Sequence, residues 1–210
     1  MQSIGYSNSS DAPPSSVQID WTFDDKNSTS QGGGGALQAS GSTVVNITAV
    51  NDNPVNTVPG TQTVAEETAA VISGISISDV DAASNNLTTR LQVLNGTVNV
   101  SLAGLAAISA GVNGSADLTI QGTVAEINAT LASLSYTGNA DVVGSNADTL
   151  TVTTDDLGNS GSGGAQSDVD TIQIDITAIN DTPVITGPGT AYSVNEQTNL
   201  AIHGLSLIHI

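Results

Sequence analysis

Residues 45–55 read VNITAVNDNPV, and residues 174–184 read IDITAINDTPV. The second copy follows the first after 129 positions, which is the length of an ordinary domain. We therefore interpret the chain as part of a tandem array. On this interpretation residues 1–50 are the C-terminal part of a preceding repeat, residues 51–180 are one complete repeat, and residues 181–210 are the truncated start of a third.

Apolar and polar residues alternate through the complete repeat, a pattern typical of half-buried β-strands. The dipeptide Asn95-Gly96 stands between two such segments and predicts a tight hairpin turn, because both residues tolerate positive φ. The last strand is predicted over 171–179. The positions that share one face of each predicted strand are Leu87, Thr89, Leu91, Val93, Val98, Val100, Leu102, Leu118, Ile120, Leu134, Tyr136, Leu150, Val152, Ile172, Ile174, Ile176 and Ala178.

One segment departs from the alternation. After Thr123 the apolar residues come at steps of three and four, and Thr123 with Glu126 fits a capping box. These signals predict a short helix over about 124–132 that crosses between two sheets. About seven strands and one helix in a single repeat predict a mainly β fold, an immunoglobulin-like β-sandwich. The Gly- and Ser-rich stretches 32–35 and 158–164 are predicted to be loops within repeats.

The charge of the chain is strongly one-sided. Lys26 and Arg90 face 20 acidic residues, for a formal net charge of −18. A polyanion repels phosphate backbones and anionic lipids, which argues against nucleic acid and membrane surfaces as partners and favours metal cations. An acidic surface that serves only solubility is the alternative. No apolar run reaches the ~18 residues of a membrane span, so membrane insertion is not expected. The chain has no cysteine, which excludes disulfides and thiolate zinc sites.

Acidic and amide residues cluster at the ends of the predicted strands. The clusters are Asn51-Asp52-Asn53, Glu66-Glu67, Asp79-Val80-Asp81 and Asp155-Asp156. Calcium takes six to eight oxygen ligands from carboxylates, amide carbonyls and the backbone, and an extended Asp-x-Asp aims two carboxylates at one ion. One such cluster is usually a solvated turn. Four clusters at the boundaries of a repeating unit favour calcium binding.

The acidic motifs resemble those of a known family. Val64-Ala65-Glu66-Glu67, Asp79-Val80-Asp81, Asp155-Asp156 and Asn180-Asp181-Thr182-Pro183 follow the order of the calcium-binding motifs in cadherin repeats. The chain is still more similar to bacterial cadherin-like and VCBS-type repeats, on the strength of ISDVDA at 77–82, TVAEINA at 123–129, LSYT at 134–137 and the Asn-Asp-x-Pro joint. Such repeats fill large surface or secreted adhesins, often exported by type I secretion and associated with RTX repeats.

This resemblance implies Ca²⁺ as the cofactor at the joints between repeats. It places Asn51, Asp52, Asp79, Asp81 and Asp156 around one joint, and Glu66, Asn180 and Asp181 around the next. The sequence also departs from animal cadherins. Ala49 and Ala178 replace the first Asp of the cadherin joint, and the middle of the repeat has no Leu-Asp-Arg-Glu segment, so a three-ion joint is not implied.

Two functions are compatible with these motifs. The first is a structural spacer in an extracellular or bacterial cell-surface adhesin, with adjacent repeats as its partners and joints stiffened by calcium. The alternative is a module that binds glycans or cell-surface proteins through its loops. Catalysis is not expected, because the only histidines, His203 and His209, lie outside the complete repeat and no Ser-His-Asp arrangement is possible within it.

The C-terminal residues break the repeat. The complete repeat reads GISISDVD at 74–81, whereas the third reads GLSLIHI at 204–210 and lacks the acidic loop. Residues 205–210 also resemble the peptide encoded by a sequencing adapter, which would make them non-native. A divergent third repeat is the alternative.

Overall fold

The computed structural model describes residues 4–26, 36–189 and 191–208. Within these ranges the chain is mainly β, with fifteen strands and one helix, which confirms the predicted fold class. The elements are β1 (Ser16–Asp24), β2 (Gln38–Asn46), β3 (Val55–Thr57), β4 (Gln62–Ala65), β5 (Ala70–Val71), β6 (Ser76–Ser78), β7 (Leu87–Gln92), β8 (Gly96–Asn99), β9 (Ala107–Gly111), β10 (Asp117–Gly122), α1 (Val124–Leu131), β11 (Ser135–Gly138), β12 (Gly144–Asp155), β13 (Ser167–Thr177), β14 (Val184–Thr186) and β15 (Ser206–Ile208).

Two main sheets form the domain between residues 55 and 177. One has six strands in the order β4-β13-β12-β7-β10-β9, and the other has three in the order β5-β11-β8. The short strands β3 and β6 pair with each other. This domain contains eleven strands rather than about seven, because its first part, residues 55–99, forms several strands of two to four residues.

A single core lies between the sheets, built from the inward residues of the long strands. Ile172, Ile174 and Ile176 are buried as predicted, and so are the predicted positions on β7, β10 and β12. Two predictions are wrong. Ala178 is exposed because β13 ends at Thr177, where the chain leaves the sheet, and Leu102 is exposed because β8 ends at Asn99.

The helix forms where the sequence predicts it. The Thr123 hydroxyl accepts the N–H of Glu126, and the Glu126 carboxylate accepts the N–H of Thr123, which completes the capping box. The chain enters α1 from β10 of the larger sheet and leaves it toward β11 of the smaller one. Helix α1 therefore crosses between the two sheets.

The predicted hairpin at Asn95-Gly96 is wrong. Strand β7 pairs with β10 and β12, whereas β8 pairs with β11 in the other sheet, so the chain changes sheets at this point. The buried Asp148 carboxylate fixes the crossing, since it accepts the N–H groups of Leu94 and Asn95, each at 2.9 Å. Gly96 is required for packing, because a Cβ there would lie 2.5 Å from the ring of Tyr136.

Two hairpins flank this domain and match parts of it in register. In β1–β2, Val17 pairs with Val45 and Asp24 pairs with Gln38, as Asp148 pairs with Ile174 and Asp155 with Ser167 in β12–β13. In β14–β15, the pairs Val184 with Ile208 and Thr186 with Ser206 match Val55 with Ser78 and Thr57 with Ser76 in β3–β6. The stretch 158–164 is the loop between β12 and β13, as predicted. The stretch 32–35 lies outside the described residues.

Candidate metal centre

The segment that precedes β3 is fastened to the loop between β12 and β13. The N–H of Ser162 donates to the carbonyl of Ala49, and the N–H of Asn51 donates to the carbonyl of Ser162, both at 2.9 Å. Gly161 allows this contact, because a Cβ at that position would lie 2.5 Å from the backbone nitrogen of Asn51. The segment around Ala49 and Asn51 is thus held against a loop that follows more than a hundred residues later.

Asn51 and Asp156 form the buried base of this joint. The Asn51 amide nitrogen donates to the Asp156 carboxylate and to the carbonyl of Gly164, the latter at 2.9 Å. Asp156 also accepts the N–H groups of Gly158 and Gln166, at 2.7 and 2.8 Å. The Asp156 carboxylate and the Gly164 carbonyl fix the orientation of the Asn51 amide, since a flipped amide would place its oxygen against these two acceptors. Its oxygen, Oδ1, is left buried without a hydrogen-bond partner.

Asp79 and Asp81 lie beside this base, in the turn after β6. Asp79 Oδ1 accepts the N–H groups of Asp81 and Ala82, at 3.2 and 3.1 Å. Asp81 Oδ2 accepts the N–H of Asp52 at 3.1 Å, which connects the turn to the joint. The remaining oxygens, Asp79 Oδ2 and Asp81 Oδ1, are buried and have no partner.

The Asp81 carboxyl influences the protonation of Asp79. Burial, followed by the influence of the neighbouring Asp81 carboxyl, raises the pKa of Asp79 to about 6. Two ionised carboxylates are both acceptors and cannot hydrogen-bond each other, so the pair favours one bound proton or a cation. Burying an ionised carboxylate without a partner is costly.

The joint offers a mixed set of oxygen ligands. Within 4–26, 36–189 and 191–208, no group of three or more acidic, histidine or cysteine side chains could hold a metal ion by itself. The unpartnered oxygens come instead from two carboxylates and one amide, on Asp79, Asp81 and Asn51. Calcium accepts amide and backbone carbonyls and water beside carboxylates, so this donor set fits calcium better than zinc or a transition metal.

The residues predicted for the next joint lie at the end of β13. Glu66 is buried, and its carboxylate accepts the N–H groups of Ile179 and Asp141, at 2.9 and 2.5 Å. The negative charge of Asp181 raises the pKa of Glu67, with smaller contributions from burial and from the neighbouring carboxylates. Asn180 is exposed and lines a cavity of about 400 Å³ together with Glu66 and Asp141.

The predicted ligands thus lie in two separate groups. Asn51, Asp52, Asp79, Asp81 and Asp156 are joined by hydrogen bonds at one joint, and Glu66, Asn180 and Asp181 lie at the other. The sequence did not reveal the part played by Gln166 or Asp141. Gln166 donates both to Asp156 and to the carbonyl of Asn51. The backbone N–H of Asp141 donates to the Glu66 carboxylate, and Asp141 has a positive φ of 64°.

Comparison with known proteins adds no assignment. No protein-family model matches the chain, and no curated protein is significantly similar to it. Among the described residues, no helix has both the length and the apolar character needed to cross a membrane.

Proposed function

We propose that this chain is a structural spacer of an extracellular bacterial adhesin, in which calcium stiffens the joints between successive repeats. The observation that carries the proposal is the set of unpartnered buried oxygens on Asn51, Asp79 and Asp81. Native proteins rarely leave buried polar atoms unsatisfied, and each one calls for an explanation. A bound divalent cation would explain these oxygens, since it would balance the negative charge of both carboxylates at once.

The position of these oxygens relates the cation to stiffness. Asn51 and Asp52 are the first residues of the complete repeat and directly follow residues 1–50, whereas Asp79 and Asp81 lie in the turn after β6. A cation bound to both would tie the connecting segment to the domain and restrict its bending. The matching registers of the two flanking hairpins support the division into repeats, in which Asn180 and Asp181 start the next joint.

The alternative function, a glycan- or cell-binding module, receives less support. Binding surfaces that recognise partners strongly are enriched in exposed Trp, Tyr and Arg. Tyr136 is the only aromatic residue between 51 and 180, and it is fully buried. The exposed face of the six-stranded sheet is instead rich in Thr, with Arg90 engaged by Asp117.

A thermal melt tests the calcium proposal. The chain is unfolded with millimolar calcium and with chelator, beside the double variant Asp79→Ala/Asp81→Ala and a magnesium control. Extracellular calcium modules bind with Kd of about 10⁻⁴ to 10⁻³ M, and at ten times Kd one site contributes about 1.4 kcal/mol. We expect calcium to stabilise the wild type and not the variant. If the wild type gains nothing, or the variant gains equally, the proposed ligands do not bind calcium.

A further inference from the structure

Strand β9 forms an open edge of the six-stranded sheet. It pairs with β10 on one side, and no described strand pairs with it on the other. Every residue of β9 except Ile108 is exposed. All six strands of this sheet come from the complete repeat, and β9 lies in the interior of that repeat. The outer N–H and C=O groups of such an edge can pair with a strand of another molecule.

Two other strand edges of the repeat are protected. Strand β4, at the opposite edge of the larger sheet, continues directly into the acidic pair Glu66-Glu67. In the smaller sheet, a turn covers the outer side of β8, where Val98 donates to the Ser115 carbonyl and accepts the N–H of Gly114, both at 2.9 Å. Charges, prolines and bulges are the usual protection of an edge. Strand β9 has a bulge at Ser109 but neither a charge nor a proline.

The surface around β9 is uncharged in an otherwise acidic repeat. Residues 91–116 contain no charged side chain, and the charged residues between 82 and 140 are Arg90, Asp117 and Glu126. The Arg90 guanidinium is paired with the Asp117 carboxylate. The Glu126 carboxylate caps α1 and accepts the N–H of Leu105. The acidic residues without such partners therefore lie before this part of the repeat or after it.

Large apolar side chains are exposed at both ends of β9. Leu105, two residues before the strand, is 89% exposed, and Val112, directly after the strand, is 69% exposed. In an antiparallel pair of β9 edges, the Leu105 end of one strand meets the Val112 end of the other. The same contact that pairs the backbone would thus bury apolar surface at both ends.

We propose that the β9 edge pairs with the β9 edge of a second copy of the chain, antiparallel and around a two-fold axis. The charge distribution selects this occupant. Two copies with a net charge of −18 repel each other through their acidic surfaces, so within the complete repeat they approach most easily at the neutral β9 edge. A cationic partner would bind the acidic surfaces instead. Because both copies use the same surface, the contact closes at a dimer.

A single introduced cysteine tests the contact, because the chain has none of its own. Ser109 is the central residue of β9 and lies closest to the proposed axis, so Ser109→Cys brings two thiols within reach of a disulfide. Thr171→Cys is the matched control, since Thr171 is exposed on β13, which has a paired strand on each side. The 210-residue variants are oxidised mildly in chelator, at about 0.5 M salt to screen the net charge.

We expect Ser109→Cys to form a disulfide-linked dimer and Thr171→Cys to remain largely monomeric. Equal yields of dimer from the two variants would mean that the thiols meet by random collision or through another surface, and the proposal would be wrong. The use of chelator separates this result from the calcium proposal, because the β9 contact does not involve the joints.

Sedimentation of the cysteine-free chain gives a second measurement. Val112→Asp places a charge at the contact, and Val169→Asp makes the same change on β13, where Val169 is 56% exposed. The dimer fraction of the wild type and of Val169→Asp should rise with concentration and with salt, whereas Val112→Asp should stay monomeric. A wild type that is monomeric throughout, or a Val112→Asp variant that associates as strongly as Val169→Asp, overturns the proposal.

Discussion

Replacing Asp79 with Asn should stabilise the calcium-free protein, although Asp79 is a proposed calcium ligand. The new amide can keep its oxygen where Asp79 Oδ1 accepts two backbone N–H groups. Its nitrogen then takes the place of the unpartnered Oδ2 and can donate to the Asp81 carboxylate. The carboxylates of Asp79 and Asp81 are both hydrogen-bond acceptors. The substitution therefore places a donor opposite the Asp81 acceptor without changing the shape of the side chain at position 79.

The magnitude follows from the raised pKa of Asp79. The folded state raises this pKa from 3.8 to about 6, so it binds the proton more tightly than the unfolded chain does. Asp79 therefore contributes its full stabilisation below about pH 3.8, and this contribution is lost as the pH rises through about 6. At 1.36 kcal/mol for each pKa unit the shift corresponds to at most about 3 kcal/mol at pH 7, and solvent screening of the half-buried Asp79 brings the cost of its ionised form below that bound. Asp79→Asn removes this cost, and calcium at ten times Kd should reduce the advantage by about 1.4 kcal/mol.

The assay is chemical unfolding between pH 4 and 8, with chelator and with calcium. With chelator, the wild type should lose stability between about pH 4 and pH 6, and Asp79→Asn should lack that decrease and be more stable at pH 7. Asp155→Asn controls for the loss of one negative charge near the same joint. The reasoning is refuted if Asp79→Asn is less stable than the wild type in chelator at pH 7, or if its pH profile matches that of the wild type.

Two further predictions concern the core. Ile176→Asp should unfold the complete repeat, because it places an unpaired carboxylate among buried residues, whereas Asp175→Ala should cost less than about 1 kcal/mol in thermal melts. A reversed ranking would show that the strand register is wrong. Gly96→Ala should destabilise by about 1–3 kcal/mol through overlap with the Tyr136 ring, and Gly60→Ala, which has open space around its Cβ, should be nearly neutral in the same melts.

Local patterns predicted the elements better than their connections. The alternation of apolar residues identified β7, β10, β12 and β13 because each has one buried and one exposed face. The capping box identified α1 because its two hydrogen bonds join residues only three positions apart. These signals are local, and they need no knowledge of the rest of the fold.

The prediction of a hairpin at Asn95-Gly96 is wrong because the contacts that decide the path of the chain there are distant in sequence. Asp148 holds the backbone of Leu94 and Asn95 from more than fifty positions away, and Tyr136 accounts for the glycine. The candidate site shows the same limit. Its Asp and Asn residues could be named from composition and resemblance, but the orientation of the Asn51 amide depends on Asp156 and Gly164. No local pattern carries that information.

The parallel pairing of β4 with β13 determines how the repeat would respond to a pulling force. These strands lie near the beginning and the end of the domain, and Gln62 to Ala65 pair in order with Ile174 to Thr177. Tension applied at residues 51 and 180 would drag the two strands past each other along their length. Their hydrogen bonds would then be loaded together in shear, not opened one at a time from an end. The hydrogen bonds that the N–H groups of Ile179 and Asp141 donate to the Glu66 carboxylate would resist the same force beyond the ends of the strands.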